Sequence, residues 1–247
     1  MKAFRLTLCL GFGALVIAPV WAQSKESCIN CHASSDFLVT NKKLYDYFQE
    51  WRASLHGQEG ISCYDCHGGD AKSTDKEKAH GKAMMPNATA SAVNFENVPK
   101  TCGSCHDDQL MAYKKSNHFE HLKRENMEKR GPNCVTCHGS LNSKKLNVNT
   151  VAEVCEQCHN TKSENHPEIP EKATALLNDY NTINGFRRFI RRRGNAVEMA
   201  PYLQQLDQDI LKLSTTWHYF DLEKIEKQTQ KLLVSTKEKR DALLKKN

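Results

Sequence analysis

Beyond residue 20 the chain has no long hydrophobic run, and its mean hydropathy is −0.66. Crossing a bilayer takes about 20 apolar residues, so no later segment is expected to do so. Aromatic side chains are scarce, at 8% of 247 residues. They are not interleaved with a basic stripe and no nucleic-acid motif is present, which excludes nucleic acid as a partner. A chain this polar makes only a thin core unless something else supplies apolar mass. Beyond Cys9, no cysteine stands outside a single repeated spacing.

The one apolar run is at the start. Met1 to Arg5 is short and basic, Leu6 to Val20 is apolar, and Val20-Trp21-Ala22 supplies a cleavage site. Residues 1–22 are therefore expected to be a secretory signal, with an exported, soluble periplasmic chain starting near Gln23. The rival is an uncleaved anchor, for which the run is short; otherwise the membrane enters only through a partner. Cys9 lies too early, behind the bulky Leu8, for a lipoprotein. Losing Lys2 and Arg5 takes the formal charge from +6 to +4, which points only weakly to an anionic partner.

The other ten cysteines form five pairs: Cys28/Cys31, Cys63/Cys66, Cys102/Cys105, Cys134/Cys137 and Cys155/Cys158. Two residues separate the members of each pair, and a histidine follows each: His32, His67, His106, His138 and His159. A disulfide framework suits an exported chain but gives the histidines no role. Zinc knuckles use Cys-x-x-Cys, yet five units leave an odd one. Covalent haem attachment accounts for all of it, with two thioethers to one porphyrin and the adjacent histidine as the proximal iron ligand. Five haem c groups, each with its iron, are expected between residues 28 and 159. At that density the porphyrins are the core, wrapped by short helices and loops. Gly68-Gly69 and Gly139, directly after two motifs, suit positive φ.

Six histidines remain for five sixth positions: His56, His80, His118, His121, His166 and His218. Trp51-x-x-Ser54-x-His56 is matched by Tyr113-x-x-Ser116-x-His118, and each is followed by a motif continuing as Cys-His-Gly. This is an internal repeat, in which His56 and His118 are expected to be sixth ligands and the aromatics to lean on porphyrin faces. His80, in a polar segment, is a further candidate. His121 shares a helix face with His118 and is placed to reach an adjacent haem. Of His166 and His218, one is expected to ligate, and the sequence does not choose. Met84, Met85 and Met111 are expected to pack.

Residues 171–247 have no cysteine and read as helices. Leu203, Leu206, Ile210, Leu213 and Trp217 recur at helical spacing, as do Leu222, Ile225, Thr229 and Leu232. The expectation is a C-terminal helical hairpin with Asp221 as an N-cap, leaning on the haem region or offered to another copy or subunit. Arg187, Arg188, Arg191, Arg192 and Arg193 form a basic patch, either a solvated helix face or a site for carboxylates. The predicted organisation is a signal at 1–22, a pentahaem domain at 23–170 and a helical region at 171–247. The fold class is mainly α with much irregular loop.

The aromatic-x-x-Ser-x-His element followed by Cys-x-x-Cys-His-Gly resembles the signature of periplasmic multihaem c-type cytochromes. The resemblance extends to the group that includes the tetrahaem cytochrome of nitrifying bacteria. That group shares its haem packing with pentahaem nitrite reductase and hydroxylamine oxidoreductase. The resemblance covers residues 28 to about 166. It implies haems in stacked and perpendicular pairs, electron relay in the periplasm, and sixth-ligand histidines ahead of a downstream motif. The resembling nitrite reductases end their catalytic motif in lysine, whereas all five motifs here end in histidine. The reading is therefore an electron carrier without catalytic residues, running between a donor such as a quinol dehydrogenase and a periplasmic reductase or oxidase. The alternative is a reductase or oxidase of a small nitrogen or sulfur compound, which requires one haem with an open sixth position.

Overall fold

The structure is a computed structural model that describes residues 26–82, 84–85, 88–124, 131–163 and 166–245. The expected signal at 1–22 lies outside the described residues. Among those residues all regular structure is helical, so the chain is mainly α. Eleven short helices come first: α1 (Ser27–His32), α2 (Ser35–Thr40), α3 (Lys42–Ala53), α4 (Leu55–Gln58), α5 (Cys63–His67) and α6 (Lys76–His80), then α7 (Val98–Cys102), α8 (Asp107–Tyr113), α9 (Asn117–Lys123), α10 (Cys134–His138) and α11 (Val151–Glu156). Three long ones follow: α12 (Ile169–Arg193), α13 (Ala196–Thr216) and α14 (Leu222–Lys245). A 3₁₀ turn, Trp217–Tyr219, links the last two.

The short helices are cut to length by their own side chains. Ser34, Asn41, Ser54, Asp75 and Ser116 accept backbone N–H groups at helix starts. Gly68 and Gly139 end α5 and α10 at φ 73° and 78°, a left-handed region that costs a side chain about 1–2 kcal/mol.

Apolar burial is unevenly divided. Among the described residues of 26–150, the buried hydrophobics are Val98, Ala112, Tyr113 and Leu122, while Leu38, Val39, Leu55 and Met111 are exposed. The main core belongs to the C-terminal helices. Ala173, Leu176, Leu177, Tyr180 and Ile183 of α12 meet Leu206, Ile210 and Leu213 of α13, and Ile225 and Leu232 of α14. Val151 of α11 joins them.

The expected hairpin is therefore three helices running up, down and up, with α12 packed chiefly on α14. The spacing of Leu176, Leu177, Tyr180 and Ile183 carries the signal for the third member, upstream of the arginines. The α12–α13 corner is tight: a Cβ on Gly194 would lie 2.4 Å from Met199 Cγ and 2.9 Å from the Ile190 carbonyl oxygen. Asn195 then caps α13 by accepting from the Val197 and Glu198 amides. Arg187 and Arg191 pair with Asp207 of α13, so part of the basic patch is turned onto the chain's own carboxylate. Asp221 caps α14 as expected, accepting from the Lys224 amide. Among the described residues no helix is long and apolar enough to cross a membrane.

Candidate functional site

The two repeated elements fold alike. Ser54 accepts the Gly57 amide at 3.1 Å and donates to the Trp51 carbonyl; Ser116 accepts the Phe119 amide at 3.2 Å and donates to the Tyr113 carbonyl. Each buried serine thus starts the turn that carries His56 or His118. The aromatic does something the sequence reading missed. Trp51 Nε1 donates to the Ile61 carbonyl at 3.1 Å, and the Tyr113 hydroxyl donates to the Pro132 carbonyl. Both carbonyls lie two residues before the first cysteine of the next motif. The polar tip, rather than the ring face, pins that motif in place. The residue before each of those cysteines then forms a capping box, Ser62 with Asp65 and Asn133 with Thr136.

Among the described residues no disulfide joins the ten motif cysteines, and consecutive motifs stand side by side. Burial pushes the Cys63 thiol up to about 12, with Glu26 and then Cys28 of the first motif adding to it. Burial raises Cys66, and Cys102 of the third motif raises it further. Cys102 and Cys134 share a hydrogen bond that raises the first and lowers the second. Burial takes Cys137 up to about 11, helped by Cys155 and Cys158. The motifs therefore form a row in chain order. Among the described residues no three His, Cys, Asp or Glu side chains are grouped so as to hold one metal ion.

Cys31 and Cys105 are exposed, as are Cys66 and Cys158. Cys31 is on the last turn of α1. Cys105 lies in the turn after α7, where the Ser104 hydroxyl donates to its sulfur at 3.9 Å. The physical reason is the position of each cysteine within its motif. The first cysteine of every motif is half-buried, whereas the second, three residues on, sits further out. The few buried hydrophobics of residues 26–150 cannot cover it, and among the second cysteines Cys137 alone is half-buried. Both exposed thiols still flank the row: Cys31 raises Cys28 of its own motif, and Cys105 raises Cys66 of the motif before it, each behind larger causes.

The histidine rings are paired. His32 faces His80 with ring centres 6.1 Å apart, His56 faces His106 at 6.2 Å, His118 faces His159 at 6.0 Å, and His138 faces His218 at 6.1 Å. Every pair joins one motif histidine to one other histidine. A metal–imidazole bond is about 2 Å and a ring centre lies about 1 Å beyond its nitrogen, so trans imidazoles on one metal stand about 6 Å apart. Ordinary aromatic contacts also reach this distance; four motif/non-motif pairs within 0.2 Å of one another are what set these apart.

Hydrogen bonds orient several of the rings. Nδ1 of His80, His138 and His218 donates to the carbonyls of Lys76, Lys144 and Ser214, at 2.8, 3.0 and 3.1 Å. With the proton on Nδ1, Nε2 keeps its lone pair for a metal. Burial pushes His118 down to about 4, aided by His159 and His121, and lowers His32, His67 and His218. Neutral imidazole is the ligating form.

Of the six remaining histidines, His56, His80, His118 and His218 thus meet a motif ring. His121 and His166 do not. His166 sits at φ 52° in an exposed loop, with Nδ1 3.4 Å from Glu168. His56 and His118 each pass over the nearest motif and face the one after it. Phe220 was not foreseen: at φ 56° its ring centre lies 4.4 Å from that of His118 and 6.4 Å from that of Tyr113, both edge-on. Its position directly after the Trp-His-Tyr turn was the available signal. Met84 is half-buried, with its sulfur against the Gly69 backbone; Met85 and Met111 are exposed.

The residues present fit haem c: paired thiols, an adjacent histidine and a facing one, in a region with little apolar core of its own. The cytochrome c3 family matches residues 55–160. The chain is also similar to the C-type polyheme cytochrome OmcB of Geobacter sulfurreducens, in two strains. Identity is 26% over 115 residues, which is 46% of this chain and 13% of the relative's length. The chain therefore spans only a small part of those relatives. No solved structure matches.

Proposed function

We propose that this multihaem c-type cytochrome, an electron-transfer protein binding haem c covalently, relays electrons through five such groups in the periplasm. The donor is a quinol dehydrogenase or similar protein, and the acceptor is a terminal reductase or oxidase. Cys28/Cys31, Cys63/Cys66, Cys102/Cys105, Cys134/Cys137 and Cys155/Cys158 supply the thioethers. His32, His67, His106, His138 and His159 supply the proximal nitrogens. His80, His56, His218 and His118, which face His32, His106, His138 and His159 respectively, would supply the second imidazole to four of the irons.

When bound, the group supplies a one-electron iron couple whose potential two imidazoles hold low relative to a His/Met pair. The chain's own part is geometric. It orients the rings of His80, His138 and His218 by backbone carbonyls, packs Phe220 edge-on to His118 and Tyr113, and keeps neighbouring motifs side by side. The observation that carries the reading is the set of four ring pairs at 6.0–6.2 Å on the first, third, fourth and fifth motifs.

The test is the intact mass of the purified holoprotein together with EPR of its oxidised form. Five haems and low-spin ferric signals from about four-fifths of the iron or more are expected. Fewer haems, or high-spin iron on several of them, overturns the reading.

A further inference from the structure

Eleven histidines are present and all are described, so the pairing can be followed to its end. Four motif histidines have a facing ring. The fifth, His67, is paired with none. We infer that the haem held by Cys63, Cys66 and His67 has an exchangeable sixth position, open to a small iron-binding molecule of the carbon monoxide, nitric oxide or nitrite class. The inference rests on the multihaem reading above and adds a ligand site to it.

The two spare histidines do not fill the gap. His121 lies one turn along α9 from His118, and its Cβ is the neighbour that a side chain on Gly131 would strike at 2.8 Å. Its charge is felt by His118, and its ring is not set against that of His67. His166 is solvent-exposed beside Glu168. The Met84 sulfur packs on the Gly69 backbone, two residues past His67.

The internal repeat shows why this motif is left over. The second and fourth motifs are equivalent positions. Each follows an aromatic tether to the carbonyl two residues upstream. Each begins with a capping box and ends in a positive-φ glycine. In both halves the repeat's own histidine is spent on the motif after, His56 on His106 and His118 on His159. The fourth motif is completed from outside the repeat, by His218 on the turn between α13 and α14. Among the described residues no histidine plays the part of His218 for His67. His67 itself is only half-buried, and Tyr64 beside it is 48% exposed. A small molecule therefore has a short path to this motif.

The experiment is carbon monoxide titration of the dithionite-reduced holoprotein, with bound CO counted against total haem after mass confirms five haems. About one CO per chain is expected, along with a high-spin ferric EPR signal from about one-fifth of the iron before reduction. The Met84→Ala variant is expected to leave both unchanged. Variants His80→Ala, His56→Ala, His118→Ala and His218→Ala should each raise the count from about one to about two, since each frees a further iron.

Wild-type protein that binds no CO overturns the inference. If Met84→Ala then gains one CO, the sixth ligand is Met84. If one of the four histidine variants stays at about one CO, that variant's haem is the open one and the assignment to His67 fails. Where an alanine variant does not mature with five haems, the histidine-to-methionine variant takes its place, with ferric CO-free spectra as the readout of lost imidazole. A haem count below five refutes the multihaem reading itself and is seen before any CO is added.

Discussion

The proposed tether makes a sharp prediction at Tyr113. Its ring is 6% exposed, edge-on to Phe119 at 5.4 Å and to Phe220 at 6.4 Å, and its hydroxyl donates to the Pro132 carbonyl. Tyr113→Phe keeps the ring, and with it the packing, and deletes one hydrogen bond. Such a bond contributes about 0.5–1.5 kcal/mol net, rising to about 1–3 kcal/mol where the abandoned acceptor stays buried. Pro132 is half-buried between buried Gly131 and Asn133, so a loss of about 1–2 kcal/mol is expected. For a chain of this size that lowers Tm by about 2–4 °C per kcal/mol.

The check is equilibrium guanidinium unfolding of the oxidised holoprotein, followed by far-UV circular dichroism. Trp51→Phe, which deletes the equivalent bond to Ile61, should cost a similar amount plus the smaller ring's lost contact. The two sites belong to separate repeats, so the double variant should be additive within about 0.5 kcal/mol. A neutral Tyr113→Phe beside a severely destabilised Tyr113→Leu would refute the tether and return the role to the ring face.

Gly194→Ala should destabilise by about 1–3 kcal/mol, because the new Cβ meets Met199 Cγ and the Ile190 carbonyl at the α12–α13 corner; denaturant midpoints measure it. Leu213→Ala empties a fully buried position in the three-helix core and should cost about 2–5 kcal/mol. Because His218 follows five residues later, heating this variant should release one imidazole, seen as a Soret shift, in step with the loss of helix; a Soret band that outlasts the helix refutes the coupling. His166→Ala should change stability by less than about 0.5 kcal/mol and leave the EPR spectrum unchanged. A new high-spin signal in that variant would make His166 a ligand.

What was legible in the sequence followed from local chemistry. Two thioethers and an adjacent imidazole must come from five consecutive residues, so all five motifs are visible as text. The serine-capped turn carrying His56 or His118 is equally local, and it folds as expected. Spacing alone did not tell the two cysteines of a motif apart, although Cys31 and Cys105 end up exposed while Cys28 and Cys102 are half-buried. The pairing was not legible either, because it joins residues far apart in the chain: His32 with His80, His138 with His218. Nothing near His218 announces a ligand. Its placement depends on α13 ending at Thr216 and on Leu213, Ile225 and their neighbours packing so that the turn reaches α8. The choice between His166 and His218 therefore needed tertiary structure. So did the roles of Trp51 and Tyr113, whose polar tips bond carbonyls 10 and 19 residues away. Two of the five arginines looked like an anion site in sequence and are engaged by Asp207, 16 or more residues along.

The repeat also explains how residues 26–150 can hold a fixed shape with so few buried hydrophobics. Each aromatic-Ser-His element makes two attachments at different distances along the chain. Its aromatic holds the next motif by a backbone hydrogen bond, and its histidine faces the motif after that. One element therefore fixes two motifs relative to each other. Two such elements cover motifs two and three, then four and five. His80 closes back onto the first motif and His218 onto the fourth. By this scheme every motif is held by an imidazole except the second, which is held by the Trp51 tether and, just past it, by Ser27, whose amide and hydroxyl donate to the Ala71 carbonyl. A position fixed by the backbone rather than by a sixth ligand can stay ordered while its iron exchanges ligands, and that is the property a small-molecule site within an electron relay requires.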